Sequence, residues 1–187
     1  MATPKLKKPR KSARGRGAGP ARNEQRFGAV EMFYAQAIAI EREAAARYRE
    51  FAHQMAGYGN AATAELFTRL ARYESEHAER LLEAADGMTL PSIERVRRDL
   101  AVNDRSEVAT YEFLYRQVLP HHALLMALSS ERRAKAYFEG ITKSSKDPGI
   151  RKLARALARE EKEHIAWIEK ALAAEPQTVH RFNDLED

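Results

Sequence analysis

Leu70-Ala71-Arg72-Tyr73-Glu74-Ser75-Glu76-His77 contains neither glycine nor proline and is made of residues that a helix accommodates well. The apolar residues around it, Phe67, Leu70 and then Leu81, follow the 3-4 spacing of a buried helical stripe. The stripe positions between them are Glu74 and His77. A carboxylate and an imidazole one turn apart thus occupy places where Leu or Ile would be expected. Burying such groups is costly unless they are paired or bind a metal. A single Glu-x-x-His carries little weight, because the pattern is common on solvated helix faces.

The chain contains the pattern twice. Leu157-Ala158-Arg159-Glu160-Glu161-Lys162-Glu163-His164 repeats the Leu, Ala, Arg, Glu, Glu and His of the first stretch, and its stripe reads Leu157, Glu161, His164, Ile168. The preceding segments repeat as well. Ala37-Ile38-Ala39-Ile40-Glu41-Arg42-Glu43-Ala44 aligns with Ala127-Leu128-Ser129-Ser130-Glu131-Arg132-Arg133-Ala134, and an aromatic follows seven residues after each leading Glu, Tyr48 in one half and Phe138 in the other. The sequence is a duplicated helix pair in which each half supplies one Glu and one Glu-x-x-His.

Helix signals fall into place around these motifs. The first helix is expected over about 28–55, with the stripe Val30, Phe33, Ala37, Glu41, Ala44, Tyr48 and Ala52. Gly57-Tyr58-Gly59-Asn60 reads as a tight turn, with Asn60 as N-cap of a second helix over about 61–85. A third is expected over about 121–143, with Leu124, Ala127, Glu131, Ala134, Phe138 and Ile141 inward. Asp147-Pro148 marks the start of a fourth, which runs to about 174. Segment 87–119 belongs to neither repeat and is punctuated by Pro91, Asn103-Asp104 and Pro120. It reads as a crossover with short helices near 92–100 and 106–118, long enough to travel the length of a bundle, about 40 Å. The expected fold is therefore all-α: a four-helix bundle over 27–175, made of two antiparallel helical hairpins joined by that crossover.

Composition narrows the chemistry. The 187 residues include no cysteine, which excludes disulfides, thiolate zinc sites and iron–sulfur centres within this chain. A metal here must be held by oxygen and nitrogen, which suits iron, manganese or zinc. No apolar run approaches membrane-spanning length, so no membrane partner is expected, and a cytoplasmic location is. The net charge of +5 is unevenly spread: nine Lys and Arg lie within residues 1–26 against Glu24 alone, leaving the remainder slightly acidic. That segment is expected to be a disordered basic tail, either a solvated extension or an arm binding nucleic acid or another polyanion without sequence preference. Residues 176–187 read as a polar end.

In a bundle of two such hairpins, Glu41 and Glu131 meet Glu74, His77, Glu161 and His164 at one depth. Four carboxylates balance two divalent ions, and two of them can bridge. Each imidazole completes one ion and leaves positions open for oxygen species. Glu76, Glu160 and Glu163 fall off the stripes and read as surface charges, and His53, His121, His122 and His180 have no partner pattern. Tyr48, two turns from Glu41 on the same face, is either a hydrogen-bond donor to a metal-binding carboxylate or a core tyrosine with its hydroxyl satisfied elsewhere.

Glu41 with Tyr48, Glu74-x-x-His77, Glu131 with Phe138 and Glu161-x-x-His164 resemble the ferritin-like di-iron superfamily, nearest its rubrerythrin branch, across about residues 28–174. The rubrerythrin likeness implies peroxide reduction at a di-iron centre. Two departures accompany it: no rubredoxin-like cysteine module is present, and Ala134 stands where rubrerythrins tend to carry a further carboxylate. The six-residue set is also similar to that of bacterioferritins, which implies ferrous oxidation and storage. The expected function is a non-haem di-iron oxidoreductase acting on peroxide or dioxygen, two irons being held by Glu41, Glu74, His77, Glu131, Glu161 and His164, with an unidentified electron donor. The alternatives are ferritin-like iron handling, or protection of nucleic acid through the tail. A homodimer is expected, formed through Tyr111, Phe113, Leu114 and Tyr115 of the crossover.

Overall fold

The computed structural model describes residues 27–103 and 118–175. They form five helices: α1 (Ala29–Gly57), α2 (Ala61–Ala84), α3 (Ile93–Asn103), α4 (Pro120–Ser144) and α5 (Pro148–Ala174). The tail, the C-terminal end from 176, the second crossover helix expected near 106–118 and the aromatic residues expected to mediate dimerisation lie outside the described residues, apart from Val118.

The helix ends follow from local chemistry. α1 stops at Gly57 because Gly59 takes φ 72°, a backbone state open to glycine. Asn60 then caps α2 by accepting a hydrogen bond from the Thr63 amide at 3.1 Å. Asp147 caps α5 in the same way, accepting from the Ile150 amide at 2.9 Å, with Pro148 in the first turn. Pro120 differs from its expected role as punctuation before the helix. It lies in the first turn of α4 behind an extended Leu119, because proline's missing N–H costs nothing there and its ring holds the preceding residue extended.

α1 packs chiefly on α2, and α4 on α5, so each repeat forms its own hairpin. The Asn60 side-chain amide donates to Glu175 at 3.1 Å, which ties the α1–α2 turn to the far end of α5. Inside the bundle the apolar core is divided in two. One layer contains Phe51, Met55, Phe67, Leu70, Leu124 and Ile168. The other contains Phe33, Ile38, Leu81, Phe138, Ile150 and Leu157. Each fully buried large side chain in these layers contributes about 1.5–3 kcal/mol. Along all four bundle helices, the Glu and His positions of the repeat fall between the two layers. α1 is buried on a further face as well, where Ala35 and Ala39 meet Val96 of α3. That contact fastens the start of the crossover to the bundle.

Candidate metal centre

α1 delivers Glu41 and α2 delivers Glu74 and His77. α4 delivers Glu131, and α5 delivers Glu161 and His164. All six are at most 4% exposed, and they face one another between the two apolar layers. Four carboxylates enclosed this way repel each other and have lost their water, so protons or cations must compensate them.

The side chains face a common space, the two imidazoles lying close to the carboxylates. His164 Nδ1 lies 2.8 Å from Glu74 Oε1 and 3.6 Å from Glu131 Oε2. His77 Nδ1 lies 3.4 Å from Glu74 Oε2 and 3.6 Å from Glu41 Oε2. Both oxygens of Glu41, both of Glu74, Glu161 Oε2 and the Nδ1 atoms of His77 and His164 are buried without an aligned hydrogen bond. Buried polar atoms are rarely left so, and a set of them sharing one space is what a coordinated cation would satisfy. The atoms fall into two groups, Glu41–Glu74–His77 and Glu74–Glu131–Glu161–His164, each with donor atoms within 4.8 Å of one another. Glu74 belongs to both, one oxygen turned toward each imidazole. Four carboxylates and two imidazoles suit two divalent ions of the iron, manganese or zinc type.

The proton affinities of the cluster point the same way. Burial, reinforced by Glu74, pushes the Glu41 carboxyl well above the usual range. Burial and then Glu131 do the same to Glu161. Burial also acts upward on Glu74, but the neighbouring Glu41, His164 and His77 outweigh it and hold that carboxyl far below the usual range. For His164, burial acts downward and is overcome by Glu131, Glu161 and Glu74, which raise the imidazole to about 12. Glu41, Glu161 and His164, which bind protons this tightly, offer the same lone pairs to a metal ion, and Glu74 is held as the charged carboxylate that a cation attracts.

Tyr48 donates its hydroxyl hydrogen to Glu131 Oε1. Its partner is the carboxylate across the bundle, not Glu41 on its own helix. Burial, with the negative charge of Glu131 beside it, pushes the phenol well above its ordinary value, so it stays a donor. The tyrosine ring stacks on Phe67, with centroids 5.9 Å apart and planes inclined by 25°.

Glu160 corrects one expectation. It is not a free surface charge: its side chain is 24% exposed, and Oε2 lies 3.5 Å from His77 Nε2 and from Arg80 Nη2. The available signal was its place in the repeat, beside Glu161 as Tyr73 is beside Glu74, but nothing in helical spacing alone aims it at the other half. Glu76 and Glu163 are exposed as expected, and His53 and His122, which showed no partner pattern, are exposed too. Ala134 packs among apolar residues. His77 and His164 stand side by side, rings 5.6 Å apart and 10° from parallel. Behind them a cleft of about 510 Å³ opens between α2 and α5, walled by Tyr73, Glu79, Arg80, Glu160 and Trp167. No helix among the described residues is long and apolar enough to cross a membrane.

Comparison with known proteins gives two matches. The rubrerythrin family model matches residues 33–118 and 122–185. Among solved structures, an uncharacterized conserved protein from Magnetospirillum magnetotacticum MS-1 is 30% identical, with a TM-score of 0.66 over 81% of this chain and 97% of that one. No curated protein matches the sequence.

Proposed function

The chain belongs to the rubrerythrin family, and from that premise we propose that it is a non-haem di-iron oxidoreductase that reduces peroxide or dioxygen. The observation that carries this reading is the convergence of six buried Glu and His side chains, most of whose inward-facing oxygen and nitrogen atoms accept no hydrogen bond. Glu41, Glu74 and His77 would hold one iron and Glu131, Glu161 and His164 the other, with Glu74 reaching both. The metals would supply two one-electron transfers at adjacent positions, matching a two-electron reduction of the O–O bond.

The protein's own residues prepare that chemistry. The apolar layers on either side keep bulk water from the carboxylates, which strengthens their hold on a cation. Tyr48 keeps its proton at Oη and fixes Glu131 through Oε1. The cleft behind the imidazoles reaches His77 and His164, and a small oxidant would arrive from that side. A chain without cysteine draws its electrons from a separate donor, and the homodimer expected from the crossover would form around this arrangement.

A second reading, ferrous oxidation coupled to storage, is favoured by one feature. Ala134 is packed in the apolar layer where rubrerythrins carry an additional carboxylate. One experiment separates the readings. Protein loaded anaerobically with ferrous iron is mixed with peroxide and, separately, with dioxygen. Faster oxidation by peroxide at two irons per chain supports the oxidoreductase; preference for dioxygen with many irons per chain supports storage. Iron uptake no greater than that of a folded Glu41→Ala/Glu131→Ala double variant would end both.

A further inference from the structure

The ligand set is duplicated, but its surroundings are not. Three pairs of positions equivalent in the repeat carry different residues: Tyr48 and Phe138, Tyr73 and Glu160, Arg80 and Trp167. Tyr48, Tyr73, Glu160 and Trp167 each lie against a residue of the cluster, Arg80 reaches Glu160, and Phe138 lies in an apolar layer.

On the Glu41/His77 side, the imidazole presents Nδ1 to the cluster, and its other nitrogen, Nε2, faces Glu160 Oε2 at 3.5 Å. Arg80 lies at the same distance from that oxygen and anchors it. Both oxygens of Glu41 make no hydrogen bond, and the residue equivalent to Tyr48 is Phe138, which carries no hydroxyl. On the Glu131/His164 side the situation is reversed. Glu131 Oε1 accepts the Tyr48 hydroxyl, which draws charge from the carboxylate. The His164 ring is packed by Tyr73, with centroids 5.9 Å apart, and by Trp167 at 5.2 Å. Where His77 meets a carboxylate, His164 meets aromatic rings.

A carboxylate behind a metal-binding histidine fixes its tautomer and makes the inward nitrogen a better donor, and removing one typically costs 10–100-fold in affinity. Resting on the di-metal reading above, we infer that the two cation positions are unequal. The Glu41/His77 position is the stronger and fills first, and Glu160 is its positioning residue, acting through His77.

The test uses the full chain, treated with EDTA and titrated anaerobically with Co(II), followed by visible absorbance and calorimetry. The wild-type protein takes up two ions in separate steps. Glu160→Gln weakens the first step by about 10- to 100-fold, shifts the absorption of the first cobalt and leaves the second step in place, so the two steps merge. Tyr73→Glu, which gives His164 a carboxylate neighbour, tightens the second step. Two equal steps in the wild-type protein would overturn the inequality while leaving the di-metal reading standing. An equal loss in both steps for Glu160→Gln, or no loss, would overturn the role of Glu160. Failure of the wild-type chain to take up cobalt at all would remove both the inference and the reading beneath it.

Discussion

The Tyr48 hydroxyl donates to Glu131 Oε1, so a residue of the first hairpin holds a carboxylate of the second inside the buried cluster. Substitution by phenylalanine keeps the ring against Phe67 and removes only the donor. The carboxylate oxygen left behind has no water to replace it, a loss of about 1–3 kcal/mol. Tyr48→Phe should therefore unfold at lower denaturant concentration with an unchanged m-value. Alkaline difference spectra should lose one late-titrating tyrosine, because the Tyr48 phenol is raised well above its ordinary value. Unchanged stability together with an unchanged alkaline titration would contradict the role assigned to this hydroxyl.

Proton linkage gives a second expectation. Glu41 and Glu161 are raised chiefly by burial. His164 is raised to about 12 because its carboxylate neighbours outweigh burial. A raised group binds its proton more tightly when folded. Its stabilisation is complete below the unfolded value, about 4.3 for Glu and 6.5 for His, and is lost as pH climbs through the folded value. Glu74 has the opposite sign: its contribution is present above about 4.3 and disappears only in acid, as pH falls through its depressed folded value. EDTA-treated protein should accordingly be most stable near pH 5 and lose Tm as pH rises toward about 9. A divalent cation takes the place of the protons, so saturating metal should flatten that slope. Cation binding at pH 7 should release protons, seen as a dependence of the calorimetric heat on the buffer's ionisation enthalpy. A metal-free Tm that rises across this window would show that the sign is wrong.

How much of this was visible before the structure depended on which interactions stay within one helix. Glu74 and His77 announce themselves because a 3-4 stripe needs apolar residues where they stand, and the repeat shows the same anomaly at Glu161 and His164. The caps at Asn60 and Asp147 are equally local, one side chain bonding an amide three residues on. Glu160 was missed because its neighbour His77 belongs to a different hairpin, and nothing in the spacing along α5 encodes the facing helix. Tyr48 was placed on the right face, but its spacing from Glu41 is silent about Glu131. The second buried face of α1 was hidden for another reason. Ala35 and Ala39 read as neutral helix formers until Val96 of α3 is seen to cover them.

The basic segment 1–26 is expected to act independently of the cluster. Its nine Lys and Arg against a single acid should bind DNA electrostatically and without sequence preference. The logarithm of the binding constant should fall with the logarithm of salt at a slope of about −0.9 per phosphate neutralised. Removing residues 1–26 should abolish DNA retention and leave metal content unchanged. Equal retention by the shortened protein would dismiss the tail as a binding arm.

Glu74 should be the most consequential of the six candidate ligands. It alone belongs to both donor groups, with Oε1 at 2.8 Å from His164 Nδ1 and Oε2 at 3.4 Å from His77 Nδ1. Replacing Glu41 by Ala removes one carboxylate from one group and leaves Glu74, Glu131, Glu161 and His164 together. Replacing Glu74 takes a donor from each group at once and removes the one residue placed to link the two positions. Glu74→Ala should therefore reduce uptake of both ions, whereas Glu41→Ala should weaken chiefly the ion held with His77. Glu76→Ala is the control: it lies on the same helix two residues away, its side chain is 53% exposed, and its loss should leave metal content unchanged. Plasma emission analysis of dialysed protein gives the stoichiometries, and circular dichroism confirms that each variant is folded. A folded Glu74→Ala protein that retained the wild-type metal content would show that the cluster does not share its ions through this residue.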